Sequence, residues 1–463
     1  MQDLYEIVIK GTSISCGVDI NDNVKIKVDH LFCISRQGII IDIIDPIGVD
    51  QQRYQEVLKE YREKGKCKEL SGDQVILPGF IDLHIHAPQF AQLGTALDIP
   101  LYDWLNKYTF PLESKFSDEN FARQVYQDLV SQLISNGTTT ALYFATIHKS
   151  TSCLLAEICE KKGQRALVGK VVMDDVNQNP EYYRDSSTDQ AINDTEEFIQ
   201  KLLAIGSKSH QGIYPVITPR FIPSCTDEAL SRLGQLAKKY NLYIQSHCSE
   251  SDWEHQFVLD RFKISDTQAL DSFGLLSNKS IMAHCGHLSD GDMDLFHKRG
   301  AAVSHCPLSN SFFGNAVTPI RKLIEKQVNI GLGTDISGGY SSSIYDNIKQ
   351  SVISSRMLED GTNKDLLPNV RGVPNSRITL SQAFYLATAG GGESLSLPIG
   401  RLEINYAFDC QIIDTTLNYL SQSSYFGKEE SNYENLFQRI MYLSKPNNIS
   451  EVWIQGKLVF NKK

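Results

Sequence analysis

Residues 78–90 read PGFIDLHIHAPQF: an apolar run that ends in two histidines one residue apart, then turns at Pro88 and presents Gln89. His84 and His86 are two apart, so on a strand both imidazoles project from the same face. Ile81, Leu83 and Ile85 are then expected on the other face, against covering helices. Seven further β-like runs follow: TTTALYF, ALVGKVVMD, YPVITPRF, NLYIQSH, SIMAHCGHL, AAVSHCP and VNIGLGTD. Amphipathic stretches such as TDEALSRLGQLAKKY and DGDMDLFHKRG separate most of them. Eight apolar strands alternating with helices predict a parallel sheet, and eight units predict a (β/α)₈ barrel. An open sheet competes, but no glycine-rich dinucleotide turn follows the first strand.

The flanks differ from this middle. YEIVIKGT, HLFCISRQGIIIDII and DQVILPGF near the start, with a helix expected over 54–66, are echoed by DCQIIDTT and EVWIQGKLVF near the end. Both ends are therefore expected to build one small β-sandwich domain (1–77 with 391–463) beside a barrel domain at 78–390. Residues 358–377 and 421–435 are polar and rich in turn residues, and read as surface loops or irregular insertions.

Composition narrows the function classes. The 463 residues are 41% hydrophobic and carry a formal charge of −10, which supports a large core and lacks the basic stripe of a nucleic-acid binder. No run of eighteen apolar residues predicts a membrane span, and no signal core follows the start. The ten cysteines form no CxxC pair or dense framework, as expected of reduced thiols in a cytoplasmic protein.

Catalytic side chains of such barrels gather at the C-terminal ends of the strands. Strand one ends in His84 and His86, strand four in Arg220 and Phe221, and strand five in His247 with Glu250 three residues on. His284 lies on strand six and Asp335 ends strand eight. His84, His86, His247 and Asp335 make a nitrogen-and-oxygen donor set suited to zinc or ferrous iron. Cys248, Cys285 and Cys306 are expected behind the barrel, and His305 in a structural role. A cation at that set makes hydroxide available near neutral pH. Asp335 is then placed to accept a water proton, Glu250 to act as general acid or base, and His284 to contact the attacking oxygen. Gln89 offers donor and acceptor, Arg220 a cationic fork and Phe221 a flat face, a match for a planar polar heterocycle.

These segments resemble the amidohydrolase superfamily and, within it, the guanine deaminases. LYDWLNKYTFP, NGTTTALYFATIH, QRALVGKVVMD, TPRF, QSHCSE, MAHCGHLS, SHCPLSN and IGLGTDISGGYSSS carry the resemblance over about residues 78–345. The HxH start is common to the superfamily; HAPQ, WLNKYTFP, TPRF and HCSE are more specific. The resemblance implies one zinc on His84, His86, His247 and Asp335, and a homodimer. It implies that Glu250 protonates a ring nitrogen of guanine, that Asp335 carries protons from water to the leaving ammonia, and that His284 assists. Gln89, Arg220 and Phe221 would hold the purine, with His247, Glu250, His284 and Asp335 also facing it. Strand four ends without the lysine of dinuclear relatives, in keeping with a single metal. The 358–377 segment departs from the pattern. Adenine, cytosine or triazine rings are alternative substrates, and a non-catalytic scaffold of the same fold is the reading from another class. The H-x-E and P-C-x-x-C signature of cytidine-type deaminases is absent.

Overall fold

The computed structural model describes residues 4–418, 420–421 and 432–462. Eight parallel strands follow one another around a barrel: β1 (Phe80–His86), β2 (Thr138–Phe144), β3 (Arg165–Val172), β4 (Ile213–Pro219), β5 (Tyr243–Cys248), β6 (Ser280–His284), β7 (Ala302–His305) and β8 (Asn329–Leu332). All eight coincide with the apolar runs read from the sequence. Closure between β8 and β1 comes just beyond β8. There the Asp335 N–H donates to the His84 carbonyl (2.8 Å) and the His86 N–H to the Ile336 carbonyl (3.0 Å). The sheet is therefore a barrel rather than an open wall.

The covering helices form for local reasons. In Asp227–Tyr240 the Thr226 hydroxyl accepts from the Ala229 N–H, and Asn241 ends the helix in the left-handed conformation. Ala229, Leu230, Leu233, Leu236 and Ala237 recur at helical spacing and are all buried in the main core.

The face assignment on β1 differs from the simple alternation. Ile81 and Leu83 pack with Leu142, Leu167, Val216, Ile281 and Ala302, which come from five other strands, so they line the barrel's inner floor. Ile85 alone joins the outer core. The pairing register of β1 against β2 shifts between Asp82 and Ile85. This bulge puts Leu83 and His84 on the same side, so hydrophobic floor and polar rim share one strand.

The bulge is stapled by Asp82, which is fully buried. Its carboxylate accepts from the Thr334 N–H (2.9 Å), the Thr334 hydroxyl (2.5 Å) and the His84 N–H (3.2 Å). Burial pushes its pKa up to about 7 in spite of these donors.

The second sheet draws on both ends of the chain. Its strands run in the order Lys457–Asn461, Ile449–Ile454, Cys410–Asp414, Gln74–Pro78, Ile7–Ser15, Lys25–Ile34 and Ile40–Ile44, with Cys67–Glu69 also paired to Ile7–Ser15. It curls on itself, so Ile9, Phe32, Ile76, Phe408, Ile412 and Trp453 share one core. The expected helix spans Gln51–Glu63 and packs Tyr54, Leu58 and Tyr61 on the sheet's other side. Segment 358–377 is mostly exposed, and its only helix outside the end of Ile344–Asp360 is the four-residue Pro368–Arg371. Residues 422–431 of the other irregular stretch lie outside the described residues, and its last three begin the helix Tyr433–Leu443.

Replacing Asp82 by alanine strands two buried N–H groups at the closure. Asp82→Ala should lower stability by about 2–4 kcal/mol in chemical denaturation. A loss under about 0.5 kcal/mol would show that the staple is dispensable.

Candidate active site

Each sequence-derived residue arrives at one end of the barrel. His84 Nε2 lies 3.1 Å from Asp335 Oδ1 and His86 Nε2 lies 3.5 Å from it. His86 Nε2 and His247 Nε2 are 3.0 Å apart. His284 Nε2 stands 3.9 Å from Asp335 Oδ2 and 3.7 Å from Glu250 Oε1. His84, His86, His247 and Asp335 are therefore convergent donors, as the strand ends implied.

Three of these strand ends break sharply. Ser249, His284, Cys285 and Asp335 all have left-handed backbone, with φ of 49°, 70°, 55° and 48°. Such conformations in non-glycine residues cost free energy and collect where function fixes the chain. Here they fall at or just beyond the ends of β5, β6 and β8, where the chain turns out of the sheet beside the site.

Hydrogen bonds set the imidazole tautomers. His247 Nδ1 donates to the Arg220 carbonyl (2.6 Å), which turns the bare Nε2 into the cluster. His284 Nδ1 faces Asn310 Oδ1 (2.9 Å), while Asn310 Nδ2 donates to the Thr318 hydroxyl (2.9 Å). The Asn310 oxygen thus accepts from His284, whose Nε2 lone pair is left for the pocket. His84 Nε2, close as it is to Asp335, lacks the alignment of a hydrogen bond, and it and His284 Nε2 are buried without such a partner. Burial, reinforced by neighbouring charges, lowers the pKa values of His84, His86 and His247 well below the usual imidazole range. Neutral imidazoles with inward lone pairs beside a carboxylate fit a divalent cation.

The carboxyls are pushed the other way. Burial raises Glu250 to about 8, with the Asp335 charge adding and Arg220 opposing. Burial also raises Asp335, against the pull of His284. Burial therefore favours the protonated form of Glu250.

The pocket wall contains Gln89, Arg220 and Phe221, as expected, together with Leu101, Trp104, Trp253 and Phe313. Phe221 and Trp253 have ring centres 5.8 Å apart. Phe144, at the end of β2, lies 4.8–4.9 Å from the rings of His84, His86 and His247 and dries the back of the cluster.

The cysteine reading holds for two residues of three. Cys248 and Cys285 belong to the outer core. Cys306 instead points inward: a Cβ on Gly333 would meet its Sγ at 2.9 Å, His84 Cβ at 2.8 Å and Ser304 Oγ at 2.6 Å. His305 is buried outside the pocket wall, and burial drops its pKa to about 3.

Three positions in contact with the site residues escaped the sequence reading. Phe144 looked like any strand apolar residue, and Asn310 sits on a helix after β7. Glu113 lies on the four-residue helix Phe110–Glu113, where it accepts from Gln89 and Arg220. Its only signal was a lone acid just after the WLNKYTFP stretch.

Residues 75–459 match the amidohydrolase family. The chain belongs to the amidohydrolase family. Among the relatives of this amidohydrolase, guanine deaminase of Mus musculus is 38% identical over 437 residues, 93% of this chain and 92% of the relative. Guanine deaminase of Dictyostelium discoideum is 41% identical over 392 residues, 84% of this chain and 83% of the relative. The crystal structure of guanine deaminase from C. acetobutylicum with bound guanine in the active site superposes with a TM-score of 0.84 at 32% identity, covering 98% of this chain and 100% of that one.

The amidohydrolase needs glycine at 333, just past β8, because a Cβ there would collide with Ser304, His84 and Cys306. Gly333→Ala should cost about 1–3 kcal/mol through overpacking. A thermal melt indistinguishable from wild type would show that the contact relaxes freely.

Proposed function

We infer that this chain is a metal-dependent hydrolase that converts guanine and water to xanthine and ammonia. The observation that carries the inference is the buried Glu250 carboxyl, 3.7 Å from His284 Nε2, beside a convergent donor set inside a pocket walled by Gln89, Arg220 and Phe221. The extensive similarity to guanine deaminases, one solved with guanine in its active site, supports the substrate.

In this reading His84, His86, His247 and Asp335 hold one zinc, or ferrous iron in its place. The bound cation brings the pKa of water toward neutrality and so supplies the nucleophile. The chain's own groups do the rest. Asp335 takes a proton from the attacking water and passes it to the departing amine. Glu250 delivers its proton to the ring nitrogen next to the carbon under attack, so that carbon accepts electron density more readily. His284 accepts a hydrogen bond from the water through Nε2, because Asn310 already occupies Nδ1. Arg220 and Gln89 read the edge of the purine, and Phe221 stacks on its face. Water adds and ammonia leaves; the second water proton, on the new hydroxyl, returns to Glu250 as the carbonyl forms, so the acid is restored.

The assignment extends to the rest of the molecule. Residues 78–390 act as the catalytic unit and 1–77 with 391–463 as the smaller one. Two copies pair as a homodimer, supported by exposed apolar side chains at Met357, Leu367, Val370 and Val373. Cytoplasmic action is part of the same reading, and among the described residues no helix is long and apolar enough to cross a membrane.

Ammonia release measured across guanine, adenine, cytosine and aminotriazines tests the substrate. Guanine should be the preferred ring, and turnover of another ring without guanine would overturn the reading. Glu250→Gln should keep its metal and lose about 10²–10⁴-fold in kcat. Full activity in that variant would remove Glu250 from proton transfer. Arg220→Ala should raise the guanine KM by about 10- to 100-fold, and an unchanged KM would remove Arg220 from edge reading.

A further inference from the structure

Glu113 has no part in the chemistry just described, yet it is fully buried at the pocket. Its Oε1 accepts from Gln89 Nε2 (2.8 Å), and its two oxygens accept from Arg220 Nη1 (2.6 Å) and Nη2 (3.2 Å). The same short helix brings the Phe110 ring 5.0 Å from the Arg220 guanidinium carbon, so the arginine is gripped by a carboxylate and an aromatic face together. Gln89 is locked as well. Its Oε1 accepts from the Ser337 N–H (3.1 Å), so flipping the amide would set oxygen against carboxylate and NH₂ against N–H.

We propose that Glu113 is a specificity-determining positioning residue that joins Gln89 and Arg220 into one neutral recognition unit. This unit selects the uncharged purine over its anions. The inference rests on the function proposed above. An unpaired guanidinium buried in this pocket would be a strong anion site. With Glu113 beside it the pair carries no net charge. Arg220 keeps N–H donors for a ring carbonyl, and Gln89 keeps one N–H and a carbonyl lone pair for the same edge. A ring presenting C=O beside N–H fits that arrangement. A ring presenting NH₂ there would meet donor with donor.

The test compares Glu113→Gln, which keeps the shape and removes the charge, with Glu113→Asp, which keeps the charge and withdraws it by one methylene. Guanine kinetics, metal content and calorimetric binding of xanthine on both sides of its ionisation are measured. Glu113→Gln should retain its metal and raise the guanine KM by about tenfold or more, with a smaller change in kcat. It should also shift preference toward ionised xanthine by at least about tenfold. Glu113→Asp should raise KM while keeping the wild-type preference for the neutral ligand. An unchanged KM and an unchanged neutral-to-anion ratio in Glu113→Gln would overturn the proposal. If that variant does not fold by thermal melt, Glu113→Asp decides: a raised KM with the preference retained supports the role, and an unchanged KM overturns it. Xanthine binding needs no turnover, so it judges Glu113 separately. A wild-type enzyme releasing no ammonia from guanine refutes the proposed function instead.

Discussion

The closure of β8 onto β1 is the constraint on which the site depends. Two backbone bonds, from Asp335 to His84 and from His86 to Ile336, place the donor side chains His84, His86 and Asp335 beside one another. Asp82 reinforces the seam through Thr334 and the His84 amide. The same carboxylate steadies the bulge that moves β1 from floor to rim. Backbone geometry therefore fixes His84 against Asp335 before any side chain chooses a rotamer, and such preorganisation lets a polar cluster act without rearranging.

Burial then decides the protonation of everything the seam brings together. The three histidines stay neutral because charging them in a dry barrel is unfavourable, and the same desolvation pushes the Glu250 carboxyl toward its protonated form. Arg220 is the exception. Burial opposes its charge, but the Glu113 carboxylate holds its pKa above the usual range. A cluster of neutral bases, a carboxyl pushed toward its protonated form and one internally compensated cation thus coexist within a few ångströms. Each has a state set by its surroundings rather than by its residue type.

Much of this was legible in the sequence. Near-continuous apolar runs and their spacing located all eight strands, because strands buried on both faces of a parallel sheet are apolar throughout. The polar residue ending each run then located His84, His86, His247 and Asp335. What failed was facing. Alternation assigns Leu83 and His84 to opposite sides, and a bulge, which leaves no compositional trace, puts them together. Cys306 was misplaced by the same rule, because alternation was carried past the end of β7 into the turn before Pro307–Phe313. Glu113, Asn310 and Phe144 were missed for another reason. Their roles come from contacts with residues far away in the chain, and no local pattern encodes a partner.

The opposite end of the barrel explains why the chemistry is confined to one rim. There Ile81 and Leu83 pack on Leu395, Ile399 and Ala407, with Ile39 and Leu397 against them, so the floor is closed by the chain on its way into the second sheet. Arg165, at the start of β3, pairs with Asp409 and with Gln455 of that sheet, and both acid and base are buried. A buried pair of this kind adds little net stability, but it is unfavourable to break one-sidedly, so it specifies how the two parts meet. With the floor sealed by apolar side chains, ligand entry, proton exchange and product loss all pass through the end that carries Gln89, Arg220 and Trp253. The segment leading into the second sheet thereby seals the barrel at the end away from the site, where Leu395, Ile399 and Ala407 pack on Ile81 and Leu83.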